Sequence, residues 1–275
     1  MHKNATPDVV TKNRALVQAV ILAGKKLGIK TELLEHDWLI RLTKGNHSHL
    51  VYAYSFDCNT HAAASIAGDK VMTYRLLDEA NLQAVPHFLL NSLVNPSIEL
   101  KELSRLYAEH AELVIKPVRG SRGEYITKTS SPGAAVQHTN ISHPQFWAAS
   151  PFIDIDYELR VVVLAGEVKL AYRKYDAPVI DGLKMFNLRL GAKVEGIAIA
   201  SLDEAVKTLA IKAMWAIGLN LGAVDIVFKQ DGTMAVLEIN GGFSLEHYAS
   251  ISDENRNEVI NFYETVVEKM FLGQV

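Results

Sequence analysis

The chain has 275 residues, of which 49% are hydrophobic and 21% are charged, and its formal net charge is −3. This is the composition of a globular protein, and it excludes the disordered, collagen-like and coiled-coil classes. The near balance of acidic and basic residues gives no strong field for a nucleic acid or an anionic membrane, so neither is predicted as a partner.

Cysteine usage and the amino-terminal sequence predict the cellular compartment of the protein. Cys58 is the single cysteine, so no internal disulfide can form, and a reducing environment is predicted. We interpret its thiol as a small packing group, with a nucleophilic role as the alternative. The first residues lack the apolar segment of a signal peptide, and no apolar run reaches the roughly 18 residues that a membrane span needs. A cytoplasmic protein is therefore expected.

Helical and strand-like patterns alternate along the first half of the chain. Apolar residues three and four positions apart predict a helix over 14–27, and alternating segments on either side of 44–46 predict a hairpin. Helices are then predicted over 60–67 and 69–80, the second with an acidic residue at its start. The next predicted elements are a strand over 88–90, a helix over 98–108 and a strand over 113–116.

Hairpins dominate the second half of the chain. An Asp-Gly turn at 231–232 joins predicted strands over 223–229 and 233–239. The other predicted elements are strands over 124–128, 152–154, 159–164 and 168–173, and helices over 202–217 and 255–271. The regular strand–helix alternation of a doubly wound parallel sheet is missing, and so is a G-x-G-x-x-G motif. The predicted fold class is therefore α+β, with lobes built on mainly antiparallel sheets.

The strongest candidate site lies on the late hairpin. Glu238 and Asn240 are two positions apart on one strand, so their side chains share a face, and Asp225 joins them if the register places it opposite. A carboxylate on an apolar strand is costly to bury unless it is paired or binds a metal, and an all-oxygen set suits Mg²⁺. The alternative is a sheet face that is open to water.

A second candidate is a basic strand end followed by a flexible loop. Lys116 ends a predicted strand and precedes a loop over 117–123 that is rich in glycine and arginine. Glycines let backbone amides approach an anion, and Arg119, Ser121 and Arg122 add donors. This composition fits a flap over phosphates, and an exposed basic loop is the alternative.

Further charged residues stand at positions that local stability does not explain. Lys70 lies in the first turn of a predicted helix, where it opposes the helix dipole. Arg160, close to Glu158, interrupts an apolar strand and suggests pairing with an acid or a phosphate, and Arg173 lies on the adjacent strand. A solvated lysine and ordinary ion pairs are the alternatives. The ten histidines show no metal spacing, and neither a P-loop nor a G-x-S-x-G motif occurs.

Five segments in order resemble the ATP-grasp superfamily of carboxylate–amine ligases. They are Gly68–Thr73 with Leu76-Leu77 and Val85-Pro86, Ile115–Gly123, Glu158–Val161 with Gly166–Val168, Phe186–Arg189 with Gly191, and Val224-Asp225 with Leu237–Asn240. Each motif alone is weak, whereas five in the right order are specific. Asn81 stands where the family usually has a glycine. The chain looks most like cyanophycin synthetase and the bifunctional glutathione synthetase, followed by the ribosomal-protein glutamate ligases.

The resemblance implies an ATP-grasp fold, in which two α+β lobes with mainly antiparallel sheets clasp ATP. Its parts would be a short amino-terminal segment over 1–67, a small lobe over 68–150 and a carboxyl-terminal lobe with the metal site over 151–275. The implied activity is an ADP-forming ligation of a carboxylate to an amine through an acyl phosphate. Amino acids or peptides would be the substrates, with ATP and Mg²⁺ as cofactors and Mn²⁺ as the alternative metal.

The resemblance also implies a role for each matching residue. Contacts to the nucleotide would come from Lys70 and Lys116 at the phosphates, Ser121 and Gly123 in the loop, Phe152 and Ile153 beside adenine, and Glu158 at the ribose. Catalytic roles would fall to Arg160 at the acyl substrate, Arg173 at the transferred phosphate and Asn187 in the metal–phosphate cluster. The Mg²⁺ ligands would be Asp225, Glu238 and Asn240.

Two departures from the family pattern bear on partners. Gly241–Ser244 follow the acidic motif where a small residue and Pro-Gly are usual, and the segment before Lys70 is shorter than the usual preceding domain. A second copy of the chain in a homodimer, or a separate carrier protein, could supply the missing wall of the substrate site. A nucleotide-binding regulatory module and a small-molecule kinase are the alternatives to a ligase.

Overall fold

The computed structural model describes residues 13–90, 96–120, 123–141 and 146–275. The helices in these ranges are α1 (Ala15–Leu27), α2 (His61–Ala67), α3 (Lys70–Glu79), α4 (Pro96–Glu109), α5 (Pro132–Ile141), α6 (Glu204–Ile217), α7 (Glu246–Ala249) and α8 (Asp253–Phe271). The strands are β1 (Lys30–Leu34), β2 (Leu39–Lys44), β3 (His47–Tyr52), β4 (Ser55–Phe56), β5 (Phe88–Leu90), β6 (Leu113–Pro117), β7 (Thr127–Thr129), β8 (Trp147–Pro151), β9 (Ile155–Leu164), β10 (Glu167–Tyr175), β11 (Val179–Ile180), β12 (Leu183–Lys184), β13 (Lys193–Gly196), β14 (Leu221–Lys229) and β15 (Met234–Asn240). None of the helices in the described ranges combines the length and apolarity needed to cross a membrane.

The amino-terminal part of the chain is an antiparallel sheet with the order β1-β2-β3-β4 and the helix α1 packed beside it. Leu16 of α1 and Ile40 of β2 lie in the same hydrophobic core as Val266 of the last helix, α8. The segment predicted over 1–67 is therefore not a single unit in the structure. Its described first part folds around one core with the carboxyl-terminal end of the chain, because α1 and α8 pack against each other.

A five-stranded sheet with the order β13-β10-β9-β14-β15 forms the centre of the molecule, and all its strand pairs are antiparallel. Alternation along β9 gives this sheet two buried faces. Val162 and Leu164 face the core shared with α1 and α8, whereas Val161 and Val163 face a second core under α6. Along the first face, apolar side chains give way to charged ones at Arg160, and this is where the candidate site begins.

The small lobe is a four-stranded sheet with the order β5-β8-β6-β7. One face packs on α4 and α5, with Leu103 and Trp147 in the core. The opposite face contacts α3, where Val71 packs on Ala148. Leu77, further along α3, belongs instead to the core under α6. The helix after the predicted boundary at 67/68 thus bridges the two lobes rather than belonging to the small lobe alone.

Several predicted strands have different bounds in the structure, and the one predicted over 159–164 begins earlier, at Ile155, as β9. The strand predicted over 124–128 is the shorter β7, because the glycine-rich loop continues up to it. The segment 152–154 is irregular and follows β8, which ends at a proline. The strand predicted over 168–173 continues as β10 to Tyr175, since it pairs with both β9 and β13. The sequence did not predict β1, β4, α5, β8, β11–β13 and α7.

The asparagine that replaces the family's usual glycine adopts the backbone conformation that glycine favours. Asn81 follows α3 and has a φ of 55°. Asparagine tolerates this left-handed region better than most residues with a side chain, because its short amide can hydrogen-bond locally. The turn that leads from α3 towards β5 is therefore retained without glycine.

Candidate nucleotide and metal site

The late hairpin brings the three predicted metal ligands together. Asp225 on β14 lies opposite Glu238 on β15, and Asn240 lies two positions further along the same face. The amide nitrogen of Asn240 donates to Asp225 Oδ2 at 3.2 Å and to Glu238 Oε1 at 3.4 Å. Asp225 is 1% exposed, whereas 29% of the Glu238 side chain is exposed. Glu238 therefore forms the open side of the trio.

Asp225 is surrounded by cations. Arg160 lies opposite it on β9 and donates from Nε to Oδ1 at 2.8 Å and from Nη2 to Oδ2 at 2.6 Å. The ammonium of Lys174 lies 3.3 Å from Oδ1. Burial favours the neutral carboxyl, but these two cations hold the pKa of Asp225 well below its usual range. The buried carboxylate is ionised, and it fixes the plane of the Arg160 guanidinium.

Lys174 belongs to the site, and the sequence analysis missed it. It is 5% exposed and contacts Glu158, its register partner on β9, as well as Asp225. Burial opposes its charge, but Asp225 and Glu158 raise the pKa of Lys174, so it is an ammonium group. No local signal pointed to Lys174, because a bulge between Val168 and Leu170 shifts the register of β10 and brings Lys174, rather than Arg173, opposite Glu158. The predicted strand ended at 173 and excluded it.

Glu158 lies deep in the sheet rather than at the surface of the cleft. It is 5% exposed and forms an ion pair with Lys174. Burial raises the pKa of Glu158, and the neighbouring Lys174 ammonium opposes that effect. The contact to ribose hydroxyls that the resemblance implies for this carboxylate stays a prediction.

Lys70 reaches the open side of the trio from α3. Asp69 caps this helix by accepting from the backbone N–H groups of Val71 at 3.1 Å and Met72 at 3.0 Å, which orders the first turn. The Lys70 ammonium lies 3.6 Å from Glu238 Oε2 and donates to the carbonyl of Gly120 at 3.3 Å. Lys70 therefore links the acidic hairpin to the start of the glycine-rich loop.

Lys116 is the second cation that faces the trio. It lies on β6 and is 6% exposed. Burial, and next the ammonium of Lys70, lower the pKa of Lys116 to about 8, while Glu238 and Glu158 oppose that shift. Two lysines from different elements thus approach the same carboxylates. Like charges held close together in this way are stabilised by a polyanion between them.

The loop and the segment between the lobes are described in part. Ser121 lies outside the described residues. Gly123 has a φ of 75°, a backbone conformation that favours glycine, and the end of the Met185 side chain lies where a Cβ would stand. The backbone N–H of Phe152 donates to the carbonyl of Glu112 at 3.0 Å, and Ile153 follows it directly. These two residues lie where β8 leaves the small lobe, and their contact with adenine stays a prediction.

The structure does not bring Arg173 into the cluster. Alternation along β10 places it on the opposite face from Lys174, where its guanidinium lies 4.0 Å from the centre of the Tyr157 ring. Its Nε is buried and has no hydrogen-bond partner within the described residues. This placement is at odds with the predicted role at the transferred phosphate, and Lys174 is the β10 cation on the site's face.

Asn187 has a local structural role. Its side chain accepts a hydrogen bond from the backbone N–H of Arg189 at 3.0 Å and caps the 3₁₀ helix Leu188–Leu190. Its predicted part in the metal–phosphate cluster stays a prediction.

The donor set suits Mg²⁺ at its open side. Within the described ranges, no three His, Cys, Asp or Glu side chains form a group that could hold a metal ion; the trio described here has two carboxylates and an amide. The nitrogen of Asn240 faces Asp225 and Glu238, which leaves its oxygen for a cation. Glu238 and Asn240 would therefore hold Mg²⁺, which takes its remaining ligands from water and phosphates.

Solved structures of ATP-grasp enzymes share this fold. The crystal structure of a bifunctional glutathione synthetase from Pasteurella multocida superimposes with a TM-score of 0.58 and 16% identity, covering 90% of this chain and 43% of that one. The crystal structure of D-cycloserine synthetase DcsG gives a TM-score of 0.57 and 18% identity over 73% of this chain and 70% of that one. At these identities the likeness concerns the fold alone.

Curated relatives extend the comparison to sequence. A protein of Haemophilus influenzae (strain PittEE) named probable alpha-L-glutamate ligase is 28% identical over 219 residues, covering 76% of this chain and 68% of that protein. A protein of Shewanella pealeana with the same name is 27% identical over 196 residues, and this chain spans only 39% of its length. The model of the RimK-like ATP-grasp domain matches residues 67–262, which include every described residue of the candidate site. The chain belongs to the RimK-like ATP-grasp family.

Proposed function

We propose that the chain uses ATP to join a carboxylate to an amine, releasing ADP and phosphate. The observation that carries this proposal is the meeting of two opposed sets of charges. Lys70 and Lys116 approach from α3 and the small lobe, and Glu238 lies opposite them at the open edge of the large-lobe sheet. A mere nucleotide-binding module would not need the buried Arg160 and Lys174 behind that edge.

The reaction proposed here has two steps. An oxygen of the substrate carboxylate attacks the γ-phosphorus of ATP and the bond to the β-phosphate oxygen breaks, giving an acyl phosphate and ADP. The amine then attacks the acyl carbon, phosphate leaves with the bonding electrons, and the amine loses a proton. The protein contributes alignment and positive charge rather than covalent chemistry.

The residues of the site divide these tasks. Lys70 and Lys116 bind phosphate oxygens of ATP. Arg160 uses Nε and Nη2 to hold Asp225, and its Nη1 lies outside that pair, where it can bind the substrate carboxylate. Lys174 adds positive charge to the same face. When bound at Glu238 and Asn240, Mg²⁺ supplies further charge to the phosphate oxygens.

The names of the relatives support an amino acid or a peptide as substrate. Relatives from four genera carry the name probable alpha-L-glutamate ligase. A carboxyl group of glutamate or of a peptide is therefore the first carboxylate to test, with amino acids as the amines. Mn²⁺ as an alternative metal, the cytoplasmic location and the homodimer stay predictions.

A single assay separates the competing functions. The protein is incubated with ATP, Mg²⁺ and pools of amino acids and short peptides, and phosphate release is measured. We expect phosphate and a new amide product only when both a carboxylate and an amine are present. Phosphate transfer to a hydroxyl group would show a kinase, and ATP binding without turnover would show a binding module; either result contradicts the proposal.

A further inference from the structure

His87 is a buried histidine that the proposed reaction does not use. It is 2% exposed and lies in the short segment between α3 and β5. Its Nδ1 is 2.8 Å from the carbonyl oxygen of Val85, and since a carbonyl oxygen only accepts, Nδ1 carries the proton. Burial, and then the ammonium groups of Lys116 and Lys70, lower the pKa of His87 well below its usual range. The ring is therefore neutral, and Nε2 is a hydrogen-bond acceptor.

This acceptor has no partner. Nε2 is buried, and it accepts no hydrogen bond from any group in the described part of the chain. Leaving a buried polar atom unpaired is destabilising, so an orphaned acceptor indicates a donor that approaches it in another state of the molecule. The charges that act on His87 most strongly are ammonium groups, which are donors only.

Lys116 is a donor close to this acceptor. It is 6% exposed, and of the charges that act on His87 its ammonium acts most strongly. Lys70, the other nearby cation, already donates to the carbonyl of Gly120 and lies against Glu238. Of the two lysines, Lys116 is thus the candidate donor to Nε2 of His87.

The small-lobe sheet places these two groups on one face. Leu89 on β5 pairs with Ala148 on β8, and Ala148 pairs with Lys116 on β6, so the three side chains point to the same side. His87 lies two positions before Leu89, which is the repeat that keeps a side chain on one face. Beside Lys116 on β8 this face carries Ala148, whose small side chain leaves room for the lysine, and two positions further along it carries the buried Ser150.

We propose that His87 is a positioning residue whose Nε2 accepts a hydrogen bond from the Lys116 ammonium and holds it ready for the phosphates of a nucleoside triphosphate. The neutral acceptor satisfies one of the three lysine donors without cancelling its charge, so the other two remain for the anion. Holding the buried ammonium in place before binding reduces the ordering cost that ATP has to meet. This inference rests on the proposed function, because it assumes that ATP binds at Lys116.

Two substitutions separate this role from a structural one. His87→Asn keeps a donor near the Nδ1 position for Val85 and removes the acceptor at Nε2. His87→Gln places an amide oxygen near the Nε2 position and removes the donor to Val85. Binding of ATP with Mg²⁺ to the full chain is measured by calorimetry, with thermal unfolding as the check on folding. We expect the Asn variant to bind ATP about tenfold more weakly and the Gln variant to stay within about threefold of the original.

The opposite ranking, or equal affinities for all three proteins, would overturn the inference. A second test introduces His87→Asn into the Lys116→Met variant, where we expect it to change the Kd for ATP by less than about twofold. A loss of affinity as large as in the original protein would also overturn the inference. If His87→Asn does not fold, His87→Leu, whose side chain has no acceptor, takes its place. Failure of the unsubstituted chain to bind ATP would instead contradict the proposed function, so the two failures are distinguishable.

Discussion

At the scale of single residues, Glu238 is the group whose loss tests the metal site most directly. It is the partly exposed carboxylate of the trio and lies beside Lys70. Glu238→Gln keeps the shape of the side chain and removes the charge that would bind Mg²⁺. We expect the rate of ADP formation to fall by about a hundredfold or more, because a bound metal ion and nearby charges stabilise the transition state of phosphoryl transfer.

A coupled assay for ADP measures this loss, and far-ultraviolet circular dichroism checks the fold. Glu79→Gln is the matched control, because Glu79 is an exposed residue of α3 that pairs only with Arg75 among the described contacts. Turnover by Glu238→Gln at the rate of this control would remove Glu238 from the metal site.

If Lys116 binds ATP as proposed, ATP binding is expected to depend on pH. The pKa of Lys116 is lowered to about 8, mainly by burial, so the free enzyme carries the ammonium below that pH and loses it above. Because the charged form is the one proposed to bind phosphate, kcat/KM for ATP is expected to be flat at lower pH and to decrease as the pH rises through about 8. A profile of kcat/KM for ATP between about pH 6 and 10 tests this. In Lys116→Arg the guanidinium stays charged, so the decrease in kcat/KM should disappear. If the decrease persists unchanged in this variant, another group is responsible for it.

At the scale of elements, the late hairpin and β10 show what local sequence can specify. The Asp-Gly turn and the alternation of β14 and β15 predict that Asp225, Glu238 and Asn240 meet, and the structure brings them together. In β10 the sequence shows two adjacent cations but not which of them faces the cleft. That choice depends on the register with β9, and a bulge between Val168 and Leu170 shifts this register by one residue, which no local pattern reveals.

The register of β10 gives a prediction about its two cations. Lys174 faces Asp225 and Glu158, whereas Arg173 lies over Tyr157 on the other face. Lys174→Met is therefore expected to reduce kcat far more than Arg173→Met, by at least about tenfold, because only the first substitution removes positive charge from the site. Steady-state kinetics and urea unfolding are measured for both variants. Equal losses of kcat at equal stability, or a larger loss in Arg173→Met, would refute this use of the register.

At the scale of the whole molecule, the amino-terminal sheet and the carboxyl-terminal helix depend on each other. The sequence predicts α1 and α8 as separate helices but cannot show that they pack together, because their contact joins opposite ends of the chain. The connection passes through Glu246 in α7, which is 3% exposed. Its carboxylate accepts from the backbone N–H groups of Ala15 at 2.8 Å and Leu16 at 3.3 Å, so a residue from the end of the chain caps α1.

This long-range cap predicts how the molecule comes apart. Glu246→Ala leaves two N–H groups at the start of α1 without their acceptor, and we expect it to reduce the free energy of unfolding by about 2 kcal/mol or more. Because α1 and α8 share one core, hydrogen exchange should speed up in both helices together. Urea unfolding and exchange mass spectrometry measure these effects, with the exposed Glu204→Ala as control. Faster exchange confined to α1, with α8 protected as in the control, would mean that the two ends of the chain fold as separate units.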